Sequence, residues 1–353
     1  MSVCLIGLGA NISPRRETLD QAVAHLRQHP RLRITAVSRW YRSEAVGGPA
    51  GQPPFLNGAA LAETDLPPHE VLELLLSLEQ QLGRRRGERW APRRLDLDLL
   101  LYDRLQLDTP SLVLPHPRMA WRPFVLQPAA EIAPDMLHPP TGWTIRRLLD
   151  HLNEAFPYVA IAGAIGAGKT SLARAMAQAV PARLIAEDPD SELLGGFYAD
   201  PSSRGWETEL QFLQHRVELL APEAVTSGEP RPVVSDFWFD QSAAFARAWL
   251  APERYEAFAQ RWLDARQRVM RPKLLVLLDL PGDVLAERVR RRGRAYEQRL
   301  TVEQLDRIGR FVVEQTADSH EGPLLRLGLE DADRADAEAI AAVEAMEGPC
   351  VAV

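Results

Sequence analysis

The apolar positions of the first hundred residues change period several times. Residues 2–8 form an apolar run closed by Gly9-Ala10-Asn11, the signature of a buried strand. Across 16–28, Leu19, Ala22, Val23 and Leu26 recur three and four apart, one face of a helix. Residues 32–42 and 55–63 read as strands. Pro67-Pro68 opens a second helix with Val71, Leu74, Leu75, Leu78 and Leu82 turned inward. The alternation Leu95-Asp96-Leu97-Asp98-Leu99 then predicts a strand with both carboxylates on one face and the leucines on the other. This order, βαββαβ, predicts an α+β ferredoxin-like domain, its helices on one face of an antiparallel sheet.

A short final helix is expected over 144–154, after the punctuation Pro139-Pro140-Thr141-Gly142. Residues 158–162 begin a new pattern: a buried strand, a glycine-rich loop, and a helix carrying Leu172, Ala175, Met176 and Ala179 inward. Further buried strands are expected over 184–187, 233–237 and 274–280, with helical segments between them. Strands alternating with helices predict an α/β domain with a parallel sheet. The division falls near Phe156-Pro157, giving domains 1–156 and 157–353, each with its own core and each expected to fold alone.

Composition narrows the field. At 353 residues, 46% apolar and 25% charged, the chain suits two soluble domains. No apolar run is long enough to span a membrane, and the N-terminus lacks the form of a signal peptide. Cys4 and Cys350, at opposite ends, form no metal or disulfide pattern, and a reducing cytoplasm is expected. Net charge is −7, with 18 Arg against 17 Asp and Glu in residues 1–155. Neither half therefore has the basic excess of a nucleic-acid binder. The only lysines are Lys169 and Lys273, so a lysine here is informative about local chemistry.

Around the paired carboxylates lie Arg84, Arg85, Arg86, Arg89, Arg93 and Arg94, with Trp90 among them. An Asp-x-Asp pair by itself is common on a solvated strand face. Beside an arginine cluster it suits Mg²⁺ and phosphate: the cation takes oxygen ligands, and guanidinium forks match phosphate oxygens. The string Gly-Arg-x-Arg-x-x-Arg-Trp-x-Pro-Arg followed by Leu-Asp-Leu-Asp resembles the signature of the 6-hydroxymethyl-7,8-dihydropterin pyrophosphokinases. The resemblance covers about residues 3–150. It implies transfer of the β,γ-diphosphoryl group of ATP to the hydroxymethyl oxygen of the pterin, with AMP leaving. It further implies that Asp96 and Asp98 bridge Mg²⁺ ions and that Arg84 and Arg93 offset phosphate charge. Val46, Gly47, Phe55 and Asn57, with Trp90, match its pterin segment. His116 and Arg122 match its ATP or phosphate contacts, and Phe124 stacks on the pterin opposite Phe55.

In the second half, Gly163-Ala164-Ile165-Gly166-Ala167-Gly168-Lys169-Thr170 is a complete Walker A loop between a strand and a helix. Its glycines Gly163, Gly166 and Gly168 let the amides cradle phosphates. Lys169 reaches the β- and γ-phosphates, Thr170 holds Mg²⁺, and Ser171 completes the ATP-binding stretch. The later segments resemble the deoxyribonucleoside kinases over about residues 158–345. That resemblance implies Glu187 as general base on the 5′-hydroxyl and Tyr198 and Glu297 on the 3′-hydroxyl. It makes Arg288, Arg292 and Arg294 lid groups over the transferred phosphate, with Arg216 and Asp236 further site residues. Two positions depart from the pattern. Glu209 stands where a glutamine usually reads the base, and Phe237 follows Asp236 where many members have an arginine.

The expectation is a bifunctional cytoplasmic enzyme using ATP and Mg²⁺ on small molecules, with neither nucleic acid nor membrane as partner. Two alternatives stay open for the second half: a catalytically weak nucleotide-binding or homodimerisation module, or a kinase for another small molecule.

Overall fold

The computed structural model describes the chain apart from residues 50, 84–89, 189–190 and 229–230. It forms two compact units, Met1–Glu154 with Ala341–Val353, and Ala155–Ile340.

In the first unit, strands β1 (Ser2–Ala10), β2 (Leu32–Val37), β3 (Tyr41–Ser43), β4 (Phe55–Thr64) and β5 (Asp96–Tyr102) form one antiparallel sheet. β4 and β1 are central, β2 and β3 both pair with β4, and β5 lies beyond β1. The single strand expected over 32–42 is thus two. Ser38 turns out of the ladder, its Oγ accepting from Ala59 N at 2.9 Å. Trp40 then lies across Gly58, where any Cβ would collide with the indole, so only glycine permits the crossing.

One face of the sheet carries Cys4, Ile6, Leu8, Leu56, Ala60, Leu97 and Leu99, which bury against α1 (Arg15–Gln28) and α2 (Pro68–Gln81). Strand alternation sends Gly7, Gly9, Asn57, Asp96 and Asp98 to the other face. There α3 (Pro123–Ile132) packs, Tyr41 donating its hydroxyl to Glu131 Oε2 at 2.7 Å. Helices therefore cover both faces, and α4 (Ile145–Glu154) packs on α3. Two short ribbons, β6–β7 (Leu107–Asp108, Val113–Leu114) and β8–β9 (Leu137–His138, Trp143–Thr144), complete the connections.

In the second unit, β10 (Tyr158–Gly163), β11 (Arg183–Ile185), β12 (Val233–Ser235), β13 (Leu274–Leu278) and β14 (Leu324–Leu327) form a fully parallel sheet in the order β11-β12-β10-β13-β14. Every residue of β10, β12 and β13 is buried, as expected of strands covered on both faces. Its helices are α5 (Lys169–Ala179), α6 (Ser191–Ala199), α7 (Pro201–Leu219), α8 (Pro222–Thr226), α9 (Gln241–Trp249), α10 (Pro252–Arg266), α11 (Gly282–Arg292) and α12 (Val302–Ser319), and α13 (Ala335–Glu347) begins in this unit and runs on into the segment that belongs to the first.

The end of the chain departs from the sequence-based division at 156. Residues 341–353 belong to the first unit, because β15 (Cys350–Ala352) pairs antiparallel with β3. This pairing covers backbone groups that β3 would otherwise leave open at the sheet edge.

Candidate active sites

On the second face of the first sheet, the side chains gather around Gly9. A Cβ there would lie 3.5 Å from Asn57 Oδ1 and 3.9 Å from both Asp96 Cβ and Phe55 Cδ1. Gly7 and Gly9 stand opposite Asp98 and Asp96 in the ladder, leaving the carboxylates open space. Asp96 meets Arg93, whose Nη1 is 2.8 Å from each carboxylate oxygen. Asn11, nearly fully buried, fixes the Arg93 backbone, accepting from its N–H at 2.6 Å and donating to its carbonyl at 3.0 Å. The Asn11 amide also donates to Gln52 Oε1 at 3.3 Å, and Gln52 donates to Gly47 O at 3.1 Å. Gly47, next to half-buried Val46, sits against the Trp90 ring. Gly47, Gln52, Asn11, Arg93 and Asp96 are therefore one connected assembly.

Asn57 donates to Ser43 Oγ at 2.9 Å, and Phe55 and Phe124 are half-buried. The Arg122 guanidinium lies over Trp121 and Phe124, 5.1 and 5.5 Å from their ring centroids. Burial, then the charges of Arg122 and Arg118, lower the His116 pKa to about 3, while Asp96 opposes them. His116 Nδ1 accepts from Arg118 N at 3.2 Å, which leaves the proton of the neutral ring on Nε2. Arg84 lies outside the described residues.

Two contributors were not legible as site residues. Asn11 is an ordinary polar residue after a strand. Glu79 continues the core-facing series Val71, Leu75 at spacing four, is 1% exposed, and accepts from Leu97 N at 2.7 Å. Its carboxylate pins the edge strand between Asp96 and Asp98. A charged residue at a core-facing helix position was the available signal.

The second unit has a cavity of about 740 Å³ lined by the Walker A loop, Glu187, Tyr198, Glu209, Arg216, Asp236 and Glu297. Lys169 Nζ donates to the loop carbonyls of Gly163 and Ala164 at 2.9 and 3.0 Å. Burial lowers its pKa to about 8, against the opposing pull of Glu187 and Asp236. Asp236 joins two site elements, accepting from Thr170 Oγ1 at 2.6 Å and from Glu187 N at 2.8 Å. Thr170 and Asp236 thus present oxygens where the loop would hold a cation. Among the described residues no group of three or more His, Cys, Asp or Glu could hold a metal. Mg²⁺ needs no such cage, since one or two protein oxygens and the substrate phosphates suffice.

Glu187 is held by Arg216. The expected lid arginines also have partners: Arg288 Nη1 donates to Ala167 O at 2.9 Å, and Arg292 and Arg294 both reach Glu297. Glu297, 3% exposed, is thus engaged by the arginines rather than open to a hydroxyl. Tyr198 stacks on Tyr296, with ring centroids 5.9 Å apart. Ser171 lines the cavity beside Thr170. Thr208, Gln241 and Trp249 also line it, and none was singled out in the sequence. Their motif value is nil because they come from the interior faces of α7 and α9.

Residues 5–134 match the model of the 7,8-dihydro-6-hydroxymethylpterin-pyrophosphokinase family, and residues 159–342 that of the deoxynucleoside kinases. The chain is 45% identical over 149 residues to a 2-amino-4-hydroxy-6-hydroxymethyldihydropteridine pyrophosphokinase of Synechocystis, covering 42% of this chain and 75% of that one. The Bacillus subtilis protein of the same name is 47% identical over 131 residues, or 37% and 78% of the two chains. Among solved structures, a deoxyadenosine kinase from M. mycoides with bound dATP aligns over 52% of this chain and 96% of its own, at 15% identity and a TM-score of 0.46.

Proposed function

Because the chain belongs to the hydroxymethylpterin pyrophosphokinase family through its first half and to the deoxynucleoside kinase family through its second, we propose a fused enzyme with two separate transfer sites. The first moves a diphosphoryl group from ATP to 6-hydroxymethyl-7,8-dihydropterin and releases AMP. The second moves the γ-phosphoryl group of ATP to the 5′-hydroxyl of a deoxynucleoside.

In the first site, Phe55 and Phe124 flank the pterin and the Asn57 amide offers its edge both a donor and an acceptor. Asp96 and Asp98 would hold Mg²⁺, which when bound offsets charge on the phosphate oxygens. Arg93 and Arg122, with Arg84, offset the remainder, and neutral His116 donates from Nε2 without titrating at working pH. The observation that carries this assignment is the pair of same-face carboxylates with Arg93 locked onto one of them.

In the second site, the phosphates of ATP take over the Lys169 donors now spent on loop carbonyls. Thr170 and Asp236 would hold Mg²⁺. Glu187, oriented by Arg216, accepts the 5′-hydroxyl proton as that oxygen attacks the γ-phosphorus. Arg288, Arg292 and Arg294 turn to the phosphate from their present partners, and Glu297 and Tyr198 receive the sugar. The observation that carries it is the cavity that joins the phosphate loop, Glu187 and a buried polar end. Both substrates are small molecules that need ATP, and we place the enzyme in the cytoplasm.

The test is the full chain and its Lys169→Ala variant, assayed with the pterin and with the four common deoxynucleosides. The variant should lose deoxynucleoside phosphorylation and keep AMP formation from the pterin reaction. Loss of both reactions sinks the separation of the sites. If wild type binds ATP and phosphorylates none of the four, the second assignment falls to the binding-module alternative.

A further inference from the structure

Besides the phosphate loop, the cavity is lined by polar residues that have no side-chain partner among the described residues. Glu209 is 4% exposed and lines the cavity, and its carboxyl has no hydrogen bond or ion pair among the described residues. Thr208 and Gln241 line the same cavity, and their buried Oγ1 and Oε1 atoms also have no hydrogen-bond partner among the described residues. Buried polar groups are nearly always bonded, so the Glu209 carboxyl, with two orphaned oxygens among the same lining residues, marks a place where a ligand supplies a missing partner. The wall behind them is built: Asp240, fully buried, accepts from Trp262 Nε1 at 3.0 Å and Arg266 Nε at 2.7 Å, fixing the start of α9.

Arg216 stands two helical turns from Glu209 on the same face of α7, yet it does not neutralise it. Its fork is committed to Glu187, and its Nη1 donates to Ser242 Oγ at 2.7 Å. The other groups on packed elements are Glu187 after β11, of like charge, and the phenol of Tyr198 on α6. On α9, Gln241 and Ser242 are neutral and Arg247 pairs with Glu314, while Asp240, just before the helix, is spent on Arg266 and Trp262. On α10, Arg261 lies over Trp206.

We propose that Glu209 reads the nucleobase as a neutral carboxylic acid, one donor and one acceptor, and that its ionisation changes which base the pocket accepts. This rests on the deoxynucleoside reading above. A neutral acid matches the acceptor–donor edge of adenine (N1 and N6–H) or cytosine (N3 and N4–H), as an amide would. An ionised carboxylate only accepts, so it meets the ring-nitrogen lone pair of either base with like polarity and suits instead the two donors of guanine, N1–H and N2–H. Desolvation by burial, with Glu187 adding to it and Arg216 opposing, raises the Glu209 pKa to about 8. The acid form therefore prevails at neutral pH.

The experiment measures kcat/KM for deoxyadenosine, deoxycytidine and deoxyguanosine on the full chain at pH 6.5 and pH 9, for wild type and Glu209→Gln. Ratios between bases cancel the titration of every group common to the reactions. In wild type the ratio of deoxyguanosine to deoxyadenosine, or to deoxycytidine, should rise about tenfold across this range, the cost of one unmade buried hydrogen bond. In Glu209→Gln neither ratio should rise, because the amide does not titrate and the onset of guanine N1–H ionisation at pH 9 acts only to lower them. A flat wild-type ratio with any of these substrates active overturns the proposal even if the variant does not fold. A pH-dependent ratio that persists unchanged in a folded Glu209→Gln overturns it as well. Phosphorylation of no deoxynucleoside at either pH overturns the kinase reading and this inference with it.

Discussion

The guanidinium of Arg216 meets both carboxylate oxygens of Glu187, with Nε 2.7 Å from Oε1 and Nη2 3.1 Å from Oε2. The pair lies between α7 and the segment after β11, and Arg216 is only 5% exposed. A fork of this geometry sets the direction of a carboxylate as well as its charge. Glu187 is thereby oriented beside Asp236, which accepts from its backbone N–H.

If that orientation matters to catalysis, Arg216→Lys should lose most of the deoxynucleoside kinase rate, on the order of a hundredfold, because a point charge cannot hold both oxygens. ATP binding should persist. Glu187→Gln should cost as much or more, and the double variant little beyond the worse single one, since the two act as a unit. Fully additive losses in kcat would show that Arg216 works independently of Glu187.

Asp96→Ala and Asp98→Ala should each cut AMP formation in the pterin reaction about a thousandfold, by removing a ligand for the cation that offsets phosphate charge. The deoxynucleoside reaction should be unchanged in both. AMP release near the wild-type rate from either folded variant removes that carboxylate from the mechanism.

Truncation after Glu347 deletes β15 and uncovers β3. It also removes the bond from Val353 N to Trp40 O, 3.0 Å. With about 1 kcal/mol per lost hydrogen bond, the first unit should be destabilised by roughly 2–3 kcal/mol. The fragment 1–156 lacks the same strand and should share the defect. Hydrogen exchange at 41–43 is the measurement, and unchanged protection there after truncation contradicts the role given to β15.

His138 is 7% exposed and its Nδ1 lies 3.0 Å from Thr141 Oγ1. Burial lowers its pKa from 6.5 to about 4. The unfolded chain therefore takes up this proton first as pH falls, so the folded state loses stability from about pH 6.5 downward until the folded pKa near 4 is passed. At pH 5 the loss is on the order of 2 kcal/mol. His138→Gln should reduce the slope of this part of the stability–pH curve in chemical denaturation, with buried His116, whose pKa is also lowered, carrying a further share. A variant whose slope between pH 6.5 and 4.5 equals that of wild type shows that other groups carry it.

The sequence by itself determined the strand alternation that puts Asp96 and Asp98 on one face, the Walker A loop, and the position of Glu209. These are local: period and motif spacing need no partner to be read. Only the tertiary structure decided that the chain breaks between β2 and β3, where Trp40 crosses Gly58. It alone brought 341–353 back to the first sheet, a pairing between residues some three hundred positions apart that leaves no mark in either segment. It also decided which charges are spent. Glu79 is held on Leu97, Arg292 and Arg294 on Glu297, and Arg216 on Glu187, while Glu209 stands without a partner in the described structure. Whether a carboxyl is neutral or ionised follows from burial and from neighbours on other elements, and those are set by how α6, α7 and α9 pack, not by the residues beside it in the chain.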